Sequence, residues 1–361
     1  MATKISRTKP RPGRLRRPSA NAVTARDVAR AAGVSLATVS RALNDNPAVD
    51  ARLRARVEAA ARRLNYTPHA AARALASQRT RAIGAVIPTL ESQNFSLGVQ
   101  ALQRRIGEAG YTLLLASSNY DPKEELRQVK ALAAHGVDAM MLVGRSHERG
   151  VYELLNAKGI PFVNTWVLDT EQPCVGFDNR QVGRMLATYL MDLGHTEIGM
   201  IAQRAESSDR SADRVAGVRQ ALHEHGLRLR EDHLQLIERP HKIAEGQLAL
   251  RELLKLSRRP TAIICGTDTL AFGALLECER LGVGVPREMS IAGINDVELA
   301  AHLNPPLTSV RLAVEEIGAR AAEYLLGRVK NLAVARLTEV EVSLIVRAST
   351  APPRARRSRE Q

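Results

Sequence analysis

The stretch Val23–Asn46, VTARDVARAAGVSLATVSRALNDN, decides how the first part of this chain folds. Thr24 and Asp27 stand three apart, the spacing of a capping box, and Val23 and Val28 flank them at the positions of a hydrophobic staple. A short helix over about 24–32 then places Val28, Ala29 and Ala32 on one face, and Gly33 stops it, as a left-handed C-terminal glycine does. Ser35 caps a second helix, about 35–43, with Val39 and Leu43 inward. Asp50 caps a third, about 50–64, in which Leu53, Val57, Ala60 and Leu64 recur at helical spacing. Three short helices with a glycine turn between the first two make a helix-turn-helix bundle.

Charge points the same way. The chain of 361 residues carries a net +14. Residues 1–80 hold 17 Lys/Arg against 4 Asp/Glu, a net +13, so nearly all the excess sits at one end. Such asymmetry suits a polyanion, nucleic acid before anionic membrane. Residues 1–21 are read as a disordered basic arm, 22–67 as the DNA-binding domain, 68–80 as a linker, and 350–361 as a basic tail. In a helix-turn-helix the second helix enters the major groove. Leu36 and Ala37 offer apolar contact to bases, and Arg41 is able to grip guanine with two hydrogen bonds. Ser35, Thr38, Asn44 and Tyr66 are candidates for phosphate contacts that set register.

From Ile83 the texture changes. Apolar runs at Ile83–Pro88, Tyr111–Ala116, Ala139–Val143, Ile160–Asn164, Ile198–Ala202, Ala262–Cys265 and Ser290–Gly293 alternate with helical patterns. Near-continuous apolar strands separated by helices mean parallel sheets covered on both faces. The length of this region favours two lobes over one core.

Other classes find little support. No run of 18 apolar residues marks a membrane span, and the basic start is not followed by the apolar stretch of a signal peptide. Cys174, Cys265 and Cys278 lack metal-ligand spacing and read as reduced, mostly buried thiols of a cytoplasmic protein, which the DNA-binding reading places at the nucleoid. There is no Walker loop, no GxGxxG after a strand, no HExxH and no GxSxG, so neither an enzyme nor a cofactor or metal is expected.

Val23–Asn46, together with Tyr66-Thr67-Pro68-His69-Ala70-Ala71-Ala72-Arg73-Ala74-Leu75, resembles the headpiece and hinge of the LacI/GalR family of bacterial repressors. The similarity runs over about residues 22–350, with the sensor region closest to gluconate-type regulators. It implies an α/β fold: a two-lobed periplasmic-binding-protein-like sensor domain, 81–349, behind an all-α headpiece. Lobe one would take about 81–179 and 312–335, lobe two about 180–310 and 339–349. It implies a homodimer on a palindromic operator, and a hinge helix in which Leu75, flanked by Ala72 and Arg73, wedges into the minor groove. It also implicates Asn94, Phe95, Arg145, Trp166, Asp178, Arg210, Arg214, His241 and Asn295 in binding a small-molecule effector.

Each has a chemical reading. Trp166 can stack on a ring or serve as core. Asp178 can accept hydroxyl hydrogen bonds or cap the helix that begins at Asn179. Arg210 and Arg214, with Arg145, can fork a carboxylate or phosphate, or form surface ion pairs. Many relatives carry an aspartate where Asn295 stands, with the acid displaced here to Asp296. The excess of arginine favours an anion, a sugar acid such as gluconate. A neutral sugar, a sugar phosphate, and ligand-promoted DNA binding stay open.

Overall fold

The computed structural model describes residues 23–43, 48–67 and 79–354. The basic arm, Asn44, most of the linker with Ala72, Arg73 and Leu75, and the last seven residues lie outside them. The chain divides into two compact units, Met1–Thr80 and Arg81–Gln361.

The first unit is the three-helix bundle. Helix α1 (Ala25–Ala32) buries Val28, Ala29 and Ala32. At its start the Thr24 backbone N–H donates to Asp27 Oδ2 at 2.9 Å, and at its end Gly33 adopts φ 63°. Helix α2 (Leu36–Leu43) buries Val39 and Ala42, while Leu43, read as inward, is only half-buried. Helix α3 (Ala51–Arg63) starts on Asp50, whose carboxylate accepts the backbone N–H groups of Arg52 (2.9 Å) and Leu53 (3.2 Å). Val57, Ala60 and Ala61 complete a small core of mostly Val and Ala, against which Tyr66 packs.

The second unit alternates strands and helices: β1 (Ala82–Ile87), α4 (Gln93–Glu108), β2 (Thr112–Ser117), α5 (Pro122–Ala134), β3 (Ala139–Val143), α6 (Arg149–Ala157), β4 (Phe162–Thr165), β5 (Cys174–Gly176), α7 (Asn179–Asp192), β6 (Ile198–Gln203), α8 (Asp209–Glu224), β7 (Leu234–Ile237), α9 (Ile243–Lys255), β8 (Ala262–Cys265), α10 (Asp268–Leu281), β9 (Ser290–Asn295), β10 (Thr308–Leu312), α11 (Val314–Val329), β11 (Leu337–Glu339) and β12 (Val342–Ile345). They form two six-stranded sheets, ordered β11-β5-β4-β3-β1-β2 and β12-β10-β9-β8-β6-β7. All pairings are parallel except β12 on β10. The fully buried β1, β3, β6 and β8 show why the apolar runs are continuous: each strand is covered by helices on both faces.

Each sheet with its helices is a lobe. The chain passes between lobes at Phe177-Asp178, at Ala313, and at Val340-Glu341. The return to the first lobe therefore runs on through β11 to Glu339, beyond the 335 expected from sequence, because Leu337–Glu339 pairs with Cys174–Gly176. Phe177 and Val340, on two of these crossings, are buried in one apolar core that runs through both lobes. The Val340 N–H donates to Gly176 O at 2.7 Å, tying one crossing to the strand that leads into another.

Candidate DNA interface and effector cleft

The bundle leaves Leu36, Ala37 and Arg41 exposed on the outer face of α2, because Val39 and Ala42 take the inner one. Leu36 is 44% exposed, a large apolar side chain left partly open to solvent. The Ser35 hydroxyl accepts the Thr38 N–H at 3.1 Å and lies 2.8 Å from Thr38 Oγ1, so this pair caps α2 while standing at its positive end, a setting that favours an anion. Tyr66 is half-buried against the bundle core, with its hydroxyl end as the remaining polar handle. Asn44 lies outside the described residues.

In the second unit a cavity opens where strands of both sheets end, the place where open α/β sheets hold ligands. Asn94, Phe95, Trp166, Arg210, Arg214 and Asn295 line it. Its volume is about 40 Å³, room for about three waters. A ligand of sugar size needs more room than this. Three lining residues, Tyr120, Trp166 and Asn295, hold φ values of 62°, 61° and 126°. Left-handed backbone at bulky residues stores strain, which collects at ligand clamps. Trp166 is fully buried, set edge-on to Phe95 at 5.3 Å, with its indole N–H directed at Asn94 Oδ1 (3.4 Å). It is both core and cavity wall.

The arginines are held by helix packing. Helices α7 and α8 meet at Gly183 and Gly217, where a Cβ would stand 2.1 Å from Arg214 O and 2.0 Å from Arg180 O respectively. This close approach seats Arg214 deep between the lobes. Its Nε donates to Asn179 Oδ1 and its Nη1 to Gly266 O, both at 2.9 Å. Both partners are neutral, and among the described residues Arg214 has no carboxylate within ion-pair distance. Burial, reinforced by Arg210 nearby, pulls its guanidinium down to about 10. Arg210 differs: its Nη1 donates to Asp209 Oδ1 at 2.8 Å. Burial works to raise the Asp209 carboxyl, but Arg210 and the backbone N–H groups of Arg145, Ser146 and Arg210 hold it below its ordinary value.

Three residues expected in the pocket are elsewhere. Arg145 pairs with Asp213 at 2.6 Å, from the first lobe to α8 of the second, so it clasps the lobes and does not complete a three-arginine fork. Its own N–H and that of Ser146 reach Asp209 Oδ2 at 2.5 and 3.0 Å, part of the same clasp. Asp178 is exposed and caps α7, accepting from Arg180 N (2.7 Å) and Gln181 N (3.3 Å). His241 lies 3.5 Å from Glu91 and stacks on Tyr120 with ring centres 6.4 Å apart; with the Lys242–Glu91 ion pair it forms a second clasp. Sequence reading missed Tyr120, Gln203 and Thr267, which line the cavity at or just past the ends of β2, β6 and β8. The rule that ligands sit beyond strand ends was enough to find the last two.

Below Asn295 lies Asp268, the first residue of α10 and fully buried. Its Oδ1 accepts the Ser309 hydroxyl (2.6 Å) and its Oδ2 the Val297 N–H (2.9 Å), fixing the Asn295-Asp296 turn. Burial pushes this carboxyl up to about 6.

Comparison with known proteins agrees with this arrangement. The description "Bacterial regulatory proteins, lacI family" fits residues 24–69, and "Periplasmic binding protein-like domain" fits 187–350. The HTH-type transcriptional repressor PurR of Vibrio cholerae serotype O1 (strain M66-2) is 32% identical over 311 residues, 85% of this chain and 92% of that protein. The HTH-type transcriptional regulator GntR of Escherichia coli (strain K12) is 30% identical over 312 residues, again 85% and 92%. The crystal structure of the Lac repressor dimer bound to operator and the anti-inducer ONPF superposes with a TM-score of 0.80 at 26% identity, over 91% of this chain and 99% of that one. With a helix-turn-helix bundle, a two-lobed sensor and relatives that are regulators and not enzymes, the chain belongs to the LacI family, as a ligand-regulated DNA-binding transcriptional repressor.

Proposed function

We propose that this repressor acts as a homodimer on a palindromic operator, and that a small organic anion, a sugar acid such as gluconate, sets its operator affinity from the cleft between the lobes. The observation that carries the choice of ligand is Arg214: a buried guanidinium whose partners among the described residues are neutral. A buried cation without a counter-charge is costly, and a carboxylate between Arg214 and Arg210 supplies one through charge-assisted hydrogen bonds. On the DNA side Arg41 reads a base, Leu36 and Ala37 give apolar contacts, and Ser35, Thr38, Asn44 and Tyr66 hold phosphates. Leu75 wedges into the minor groove, with Ala72 and Arg73 flanking the wedge. Ligand changes the angle between lobes, and DNA affinity shifts by the coupling energy. Arg145 and His241 act as clasps that set the open-to-closed balance.

Titration calorimetry with gluconate, glucose and glucose 6-phosphate on the wild type and on Arg214→Met tests the ligand class. Gluconate is expected to bind and to lose its affinity in the variant. Tight binding of glucose alone, unchanged by Arg214→Met, would show the charge reasoning to be wrong. A gel shift on a palindrome and on scrambled DNA, with and without the bound ligand, reads the DNA half.

A further inference from the structure

The second sheet ends in a row of three polar residues. Its register pairs Met200 with Ile264 and Ile264 with Ala292. Continued past the last paired residues, this register sets Gln203, Thr267 and Asn295 along one rim, at or just past the ends of β6, β8 and β9, and all three line the cavity. The Thr267 hydroxyl is already used: it donates to Pro240 O at 2.9 Å and accepts the Leu270 N–H at 3.3 Å. The flanking amides are not. Gln203 is 6% exposed, and its Nε2 is buried without a hydrogen-bond partner, as is Asn295 Oδ1. An unmet buried polar group is costly, and here two of them share one cavity. Arg214 Nη1 meets Gly266 O, next to Thr267, so the guanidinium reaches the middle strand of the row. Strand spacing sets each amide about 5 Å to either side of that middle strand.

Resting on the anionic-effector reading, we propose that Gln203 is a specificity-determining residue, and that it works with Asn295 to select hydroxy acids over plain carboxylates. A carboxylate accepts hydrogen bonds only. With one oxygen on Arg214, its other oxygen takes the Gln203 Nε2–H. On the far side Asn295 Oδ1 takes a proton donor, which a hydroxylated chain has and an alkyl chain lacks. The ligand class is a carboxylic acid bearing hydroxyls along a chain of about sugar length.

The test uses the full chain and two six-carbon probes, gluconate and hexanoate, by calorimetry. Wild type is expected to bind gluconate at least tenfold more tightly than hexanoate. Gln203→Leu is expected to weaken gluconate about ten- to a hundredfold, the range for a hydrogen bond to a charged group. Gln203→Glu, nearly the same shape with a negative charge, is expected to weaken it further, and it keeps the test valid if the leucine variant fails to fold. Asn295→Ala is expected to reduce the preference for gluconate over hexanoate. Unchanged gluconate affinity in Gln203→Glu, with Arg214→Met still abolishing binding, would overturn the role of Gln203 and leave the anionic reading intact. Failure of wild type to bind either acid would overturn both.

Discussion

The substitution Asp268→Asn tests whether the floor under Asn295 is a charge kept in the wrong place for stability. The carboxyl is fully buried among two donors, and burial raises it from 3.8 to about 6. A carboxylate raised on folding binds its proton more tightly in the native state, so stability falls as pH rises between the two values. Below about pH 4 both states are protonated and nothing is lost. Above about pH 6 both are charged and the full cost is present. A displacement of about two pH units at 1.36 kcal/mol each gives about 3 kcal/mol. The asparagine amide keeps an acceptor for the Val297 N–H and turns the Ser309 bond around, so the variant lacks the titration while filling the same volume. Urea unfolding from pH 4 to 8, followed by the fluorescence of Trp166, the chain's one tryptophan and fully buried, reads this directly. The difference between wild type and variant is expected to move by about 3 kcal/mol across that range, against the wild type at high pH. Parallel stability curves would show that Asp268 does not titrate between 4 and 6, and that its two hydrogen bonds outweigh its burial.

Other perturbations follow from the geometry. Gly183→Ala places a methyl 2.1 Å from Arg214 O; the helices must separate, costing about 1–3 kcal/mol in unfolding, with a parallel loss of gluconate affinity in calorimetry. Arg41→Ala is expected to cost about 1–3 kcal/mol of operator binding and to flatten the preference at one base position in a gel-shift series of operator variants. Asp50→Ala removes the acceptor for two backbone N–H groups; it should cost the headpiece about 1 kcal/mol, seen as weaker operator binding with ligand affinity unchanged.

The headpiece was legible because its signals are local. Thr24, Asp27, Gly33 and Asp50 act within four residues of themselves, and the structure shows each doing so. Most of the strands read from apolar runs are buried on both faces, and the edge strand β2 was legible from its unbroken leucines. Strands without such a run were not: β5 is three residues, β7 is an edge strand with mixed burial, and β10 carries Thr, Ser and Arg. Of the candidate cleft residues, those that end or follow a strand or stand on a helix facing the cavity do line it, among them Trp166, Asn295, Arg210 and Arg214. Arg145 and His241 were misplaced because their partners, Asp213 and Glu91, belong to the opposite lobe, a relation that sequence spacing does not encode. Gln203 was within reach as the last residue of an apolar strand, but its place in a row comes from register with two strands that lie about 60 and 90 residues further on.

The passages between lobes total five residues, Phe177-Asp178, Ala313 and Val340-Glu341. With two soft torsions per residue, any swing of one lobe on the other is shared among about ten angles. That is too few for the lobes to slide or drift apart and enough for them to turn, so the sensor behaves as a door on three short pins. The pins are not independent, since the Val340 N–H is bonded to Gly176 O. A change that stiffens one is expected to stiffen its neighbour, so the angle of the door changes as a single quantity.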